Sequence, residues 1–109
     1  MQIHKTLALV LLGLSLSAAA DEVILNKAYE VDGIDLRMPP GKTGILTFKE
    51  CSDCDSHRVL VTGMTRYVIN ERSVKLADFK KRIPGSRYAY TTVIHDLESD
   101  TITVIDATL

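Results

Sequence analysis

Between positions 51 and 57 the chain reads Cys51-Ser52-Asp53-Cys54-Asp55-Ser56-His57, a C-x-x-C pair with a histidine three places after the second cysteine. Three chemistries fit that spacing. The 2 cysteines of the sequence could close a disulfide, which in an oxidising compartment is the ordinary fate of an even count. They could instead join His57 as ligands of zinc or copper, thiolate and imidazole being the donors those metals prefer. A closed zinc site needs a fourth ligand, and His95 or Asp55 supplies it only if the fold brings one of them close. Thiol exchange is the third chemistry, and it needs a thiol pKa lowered by cations or a helix N-terminus. Here the neighbours are Glu50, Asp53 and Asp55, which oppose the thiolate. Haem attachment is excluded, because it places histidine directly after the second cysteine and Asp55 stands there. The leading expectation is therefore a structural disulfide between Cys51 and Cys54. So short a ring adds about 2 kcal/mol in the chain-entropy picture, the contribution of a loop staple.

The second chemical feature is charge. Residues 58–87 hold eight basic and two acidic side chains, whereas the segments before and after them are net acidic. Lys80, Lys81 and Arg82 close a helical segment, where cations favour the negative end of the helix dipole. That leaves Arg58, Arg66, Arg72 and Arg87 as an anion-binding patch. His57 and His95 stand at strand ends, where a lone histidine is ordinarily a hydrogen-bonded surface residue. No Ser-His-Asp arrangement stands out among many serines and aspartates, and no Gly-rich phosphate loop is present.

These residues have an address. Lys5 opens a short positive segment, an apolar Leu-rich run follows to Ser17, and Ala18-Ala19-Ala20 fits a signal-peptidase site. A cleaved signal peptide over residues 1–20 is expected, with a periplasmic or secreted domain starting at Asp21. The run falls short of the roughly 20 residues that cross a bilayer, so an integral membrane protein is not expected. The exported segment of residues 21–109 carries 12 basic and 14 acidic groups, which gives no reason for generic polyanion binding. Nucleic acid is disfavoured by the compartment and by the lack of aromatics interleaved with the basic run.

The elements that must position these groups follow from periodicity. With 109 residues in all and no Trp, one domain is built on Val, Ile and Leu. Five strands are predicted: residues 28–38 with a bend at Asp32-Gly33, residues 43–49 after a Pro39-Pro40-Gly41-Lys42 turn, residues 57–70 bent near Gly63, residues 87–95, and residues 101–107. Ser73 is a suitable N-cap for a helix over residues 74–83 that buries Leu76, Phe79 and Ile83, and Pro84-Gly85 ends it. In the last hairpin, the face with Tyr88, Tyr90, Thr92, Ile94, Ile102 and Val104 is expected to be core. The face with Ala89, Thr91, Val93, His95, Thr103 and Ile105 is expected to point outward.

Three strands, a helix and two strands is the order of a five-stranded Greek-key barrel of the OB type. The run Thr65-Arg66-Tyr67-Val68-Ile69-Asn70, followed by Val74-Lys75-Leu76-Ala77-Asp78-Phe79-Lys80 and the final hairpin, resembles the small exported bacterial OB-like domains of unknown function. The resemblance covers about residues 57–107 and implies a mainly β, OB-like barrel with one short helix, and an envelope location. It implies no activity. The function expected is a non-catalytic binding or adaptor module without a cofactor, its partner an anionic envelope glycan, a lipid head group or a protein. The alternative is a metal-binding or thiol-redox protein working through Cys51, Cys54 and His57 with zinc or copper.

Overall fold

The computed structural model describes residues 24–109, so the signal peptide expected over residues 1–20 lies outside the described residues. Along the chain the elements are β1 (Asn26–Asp32), a 3-10 turn (Gly33–Asp35), β2 (Leu36–Arg37), β3 (Gly44–Phe48), β4 (His57–Ile69), β5 (Arg72–Val74), α1 (Leu76–Arg82), β6 (Tyr90–Asp96) and β7 (Thr101–Thr108). The class is mainly β with one helix, and the sheet curls into a half-barrel. Its order is β1-β6-β7-β4-β3-β2, with β5 hydrogen-bonded to β4. Among the described residues only β4 and β7 run parallel, and every other pair is antiparallel.

Seven strands replace the five expected, for two local reasons. The strand predicted over residues 28–38 is broken at Gly33, whose N–H donates to the Ala89 carbonyl at 2.8 Å and whose carbonyl accepts from Gly85 N–H at 2.8 Å. Those bonds draw the backbone out of the sheet into the 3-10 turn, which leaves Ile34 half exposed while Val31 and Leu36 stay in the core. The second reason is a hairpin at the end of β4. Asn70 and Glu71 both have positive φ, 50° and 70°, which makes a two-residue turn whose twist suits the flanking strands. Asn70 is held there by its N–H on the Ala107 carbonyl and by its Oδ1, which accepts from Leu109 N–H, both at 2.9 Å. The chain therefore returns as β5 through Ser73, which pairs with Val68 and caps nothing. Lys75 takes the N-cap position of α1, without a side-chain cap bond, so the helix starts two residues later than predicted.

The helix buries Phe79 completely, Ile83 closes its C-terminal end equally buried, and Leu76 packs partly buried against the core. Buried Tyr29, Val31, Leu46, Phe48, Val61 and Ile69 join them in the core cluster. In the last hairpin β6 reverses the expected faces, whereas Ile102 of β7 is core as expected. Ala89, Thr91, Val93 and His95 point inward, whereas Tyr88 is 87% and Tyr90 44% exposed. A register shift between Ile94 and His95 lets Ile102 and Ile105 both face the core, which strict alternation forbids. Thr91 is tolerated inside because its hydroxyl donates to the Val31 carbonyl at 2.7 Å.

Candidate functional site

The Cys51–Cys54 loop connects β3 to β4. The two sulfurs lie within bonding distance, the Cα atoms are 5.0 Å apart, and Cys54 N–H donates to the Cys51 carbonyl at 3.2 Å. The His57 ring turns to Glu50, with Nε2 3.1 Å from Oε1, and packs against Tyr29 and Phe48 at centroid distances of 4.7 and 5.2 Å. His95 faces Asp100 instead, Nε2 to Oδ1 at 2.7 Å, and its Nδ1 is buried without a partner. Among the described residues no three or more His, Cys, Asp and Glu side chains are grouped so as to hold a metal ion. A disulfide here tethers only a four-residue ring. The Cys51→Ser, Cys54→Ser double variant is therefore expected to stay folded and lose about 2 kcal/mol in denaturant melts. A loss above twice that would show the loop holding the aromatic cluster behind it in place.

The four arginines stand on different elements. Arg58 lies opposite Thr47 on β3, Arg66 opposite Val104 on β7, Arg72 opposite Ile69 at the start of β5, and Arg87 in the connection before β6. All four are exposed. One of them, Arg66, lines a cleft of about 320 Å³.

That cleft is a gap in the sheet. The edge of β4 that meets β3 is paired up to Val61, and pairing on the same edge resumes only at Tyr67 with β5. Across the gap, β4 bulges: its register against β7 jumps from Val61–Ile102 to Arg66–Val104, five residues against two. Thr65 fastens the bulge. Its hydroxyl donates to the Ile102 carbonyl at 2.6 Å and accepts from Thr62 N–H at 3.0 Å, while Thr62 Oγ1 accepts from Met64 N–H at 3.1 Å. Met64 is pushed out to 89% exposure.

Lys42 and Arg66 bring two cations to the cleft, Thr62 and Ser73 bring hydroxyls, and Val74, Leu76 and Tyr67 bring apolar wall. No carboxylate lines it, and neither cation is in an ion pair among the described residues. A second cleft of about 300 Å³, lined among others by Arg37, Lys49 and Ser56, also holds Asp35, so its cations face an acid. Arg66 stood out in the sequence as one of four candidate arginines, whereas Lys42 belongs to the expected Pro39-Pro40-Gly41-Lys42 turn. Only the fold carries the 39–42 turn to the bulge.

No family model matches this chain. Nor does any curated protein or solved structure match it.

Tyr67 is the most telling group in the cleft wall. It is 6% exposed, its ring meets Phe79 at 4.9 Å, and its hydroxyl is buried with no hydrogen-bond partner. Burial pushes its pKa above the ordinary tyrosine value. A phenol with a folded-state pKa above its unfolded value keeps its proton longer in the folded protein. Its contribution is fully present below about pH 10 and is lost as pH rises through the folded pKa. Tyr67→Phe removes that loss. It also removes an unsatisfied hydroxyl whose burial costs about 1–3 kcal/mol, so the variant should be at least as stable as wild type at neutral pH and more so above pH 10. Tyr90, whose pKa is raised by its hydrogen bond to Glu30, by burial and by the charges of Glu30 and Asp32, titrates in both proteins and cancels in the comparison. Melts from pH 7 to 11 that fall in parallel for the two proteins would show a solvated hydroxyl.

Proposed function

We propose that the chain is an exported, non-catalytic binding module of OB-like construction that recognises an acidic glycan of the cell envelope through the cleft beside the β4 bulge. The OB-like reading is supported by the path of the sheet. β1 and β2 are its two ends, yet they are consecutive in the chain and joined by three residues, so one broken strand borders both sides of the half-barrel. The single parallel pair, β4 with β7, and the helix between β4 and β6 are also what such a barrel has. The export reading rests on the Lys5 to Ala20 pattern and on the cysteine pair at bonding distance, an arrangement suited to an oxidising compartment.

The observation that carries the function is the cleft with Lys42 and Arg66 and no acid in its lining. Two exposed cations without counter-charges are paired most favourably by an anion from outside. Hydroxyls beside an apolar wall suit a sugar ring, which has polar edges and apolar faces. Polygalacturonate is a direct probe: binding should weaken as salt rises and fall by at least about tenfold in a Lys42→Ala, Arg66→Ala double variant. Binding that the double variant retains in full would remove the cleft from the recognition surface. Binding to vesicles of anionic phospholipid but not to polygalacturonate would overturn the glycan assignment. Stoichiometric zinc or copper in the exported protein, lost in a His57→Ala variant, would move the function to the Cys51–Cys54 loop.

A further inference from the structure

We infer that the domain associates head to tail with further copies of itself, the acidic row Glu30–Thr92–Asp106 of one copy stacking on the basic row Arg37–Thr47–Arg58 of the next. This surface lies outside the cleft and goes beyond the function proposed for it. Glu30 of β1 stands opposite Thr92 of β6, which stands opposite Asp106 of β7. In the other half of the sheet, Arg37 of β2 stands opposite Thr47 of β3, which stands opposite Arg58 of β4. Residues directly opposite each other share a face, and all four charged residues are exposed, so both rows lie on the outer surface of the half-barrel. In each row two like charges stand two strands apart, about 10 Å, with a half-buried threonine between them. One row is the charge image of the other.

The flanking rows match as well. Two residues along in one direction, the acidic row gives way to Ala28, Ile94 and Val104, and the basic row to Ile45 and Leu60. In the other direction Asp32 and Tyr90 border the acidic row, and Lys49 borders the basic one. Stacked with apolar side on apolar side, the two faces set acid against base along the whole contact. Each face has one charge of the other sign at its border: Arg66, opposite Val104, and Asp35, whose carbonyl accepts from Lys49 N–H at 3.3 Å. Among the described residues Glu30, Asp32, Asp106, Arg37, Lys49 and Arg58 take part in no ion pair. The two rows belong to different halves of the sheet and point outward, so they do not meet within one chain. A second copy supplies the matching sign, spacing and row order at once, whereas an anionic membrane or a basic protein would match one face and leave the other unused. Three strands by three rows cover roughly 300 Å² per copy, well under the about 800 Å² per partner of a stable complex. Association is therefore weak and reversible, and because the two faces differ it does not close on itself at a dimer.

Sedimentation of the exported chain between about 0.05 and 2 mM tests the inference, with the range set by the small contact. The average mass should rise with concentration past that of a dimer and return to that of a monomer at about 0.5 M salt, where exposed charges are screened. Glu30→Arg, Asp106→Arg and, separately, Arg37→Glu, Arg58→Glu should each weaken association by at least about tenfold, with the fold retained by circular dichroism. Mixed together, the two reversed variants should associate again, since each then meets the opposite charge on the other. Glu30→Gln, Asp106→Asn, which keeps the side-chain shapes, should also weaken association. Lys75→Glu, Lys81→Glu changes the net charge as much as the arginine reversal but at two exposed helix-segment positions, and should associate like wild type. A wild-type chain that stays monomeric to about 2 mM in low salt would overturn the inference, the range again being that of so small a contact. So would reversed variants that fail to associate when mixed, or a Lys75→Glu, Lys81→Glu variant as weakened as the arginine reversal. A monomeric wild type that binds vesicles of anionic phospholipid, with binding lost in Arg37→Glu, Arg58→Glu, would assign the basic row to a membrane instead.

Discussion

Phe79→Ala is expected to lower the thermal midpoint by at least about 12 °C, from a loss of about 3–5 kcal/mol for emptying a fully buried phenylalanine site in so small a domain. The residue has no exposed surface and meets Tyr67 ring to ring at 4.9 Å. The helix that carries it is only 7 residues long and has no side-chain N-cap. A helix of that length does not hold itself together in water, so the packing of Phe79 and Ile83 keeps it in place. Lys80, one residue on, donates its Nζ to the Pro40 carbonyl at 3.0 Å and so links the helix to the turn that supplies Lys42. Losing Phe79 therefore loosens the cleft as well as the core. Leu76→Ala, at a half-buried position, is the comparison and should cost clearly less. Thermal melts followed by circular dichroism decide it: a Phe79→Ala midpoint within a few degrees of wild type would mean that the helix lies on the surface of the sheet.

Phe79 and Ile83 were legible in the sequence because their spacing puts them on one helical face, and nothing nearby competes with that period. The strands that carry Leu46, Phe48, Val59 and Val61 were also legible, though which of their residues face the core was not assigned. The failures have physical causes that period alone does not carry. The hairpin of β6 and β7 has both faces half apolar, and a register shift opposite His95 makes Ile102 and Ile105 cofacial, so alternation pointed to the wrong face. Tyr88 and Tyr90 looked like core by type, yet their phenols reach solvent more cheaply than Thr91, which satisfies its hydroxyl on the Val31 carbonyl. The β4–β5 turn was hidden because Glu71 is an unusual residue at positive φ, and what holds Asn70 in place comes from Ala107 and Leu109, far away in sequence.

The candidate site was half legible. Arg66 could be singled out once Lys80, Lys81 and Arg82 were assigned to the helix C-terminus, and Cys51 and Cys54 could be paired by count. Gly63 marked a bend in the strand, but the cleft itself could not be read, since it is an interruption in strand pairing that depends on where β3, β5 and β7 meet β4. Tyr67 looked like one more apolar residue of a strand. Its significance lies in what its hydroxyl lacks, which depends on every element packed around it.

Gly33→Ala should be the most damaging single-methyl change in the domain. A β-carbon at Gly33 would lie 2.7 Å from the Ile83 carbonyl oxygen, 2.7 Å from the Ser86 carbonyl oxygen and 2.8 Å from the Ala89 Cβ. None of these is the free end of a flexible side chain, so relief requires moving the chain after α1 away from the 3-10 turn. That movement breaks the Gly33–Ala89 and Gly85–Gly33 hydrogen bonds, both 2.8 Å, which join the broken first strand to the loop between helix and β6. Overpacking costs about 1–3 kcal/mol and two lost backbone bonds add about 1–3 kcal/mol, so about 2–6 kcal/mol is expected in total. Gly63→Ala is the matched control. Nothing stands within 4 Å of its β-carbon, and Gly63 sits on the exposed bulge. There the methyl should be neutral or stabilise by up to about 1 kcal/mol through the unfolded chain. The two variants differ from wild type by one carbon each, so denaturant midpoints measured side by side isolate the effect of place. If Gly33→Ala unfolds at the same denaturant concentration as Gly63→Ala, the chain does not cross tightly at Gly33, and β1 and β2 are one continuous strand.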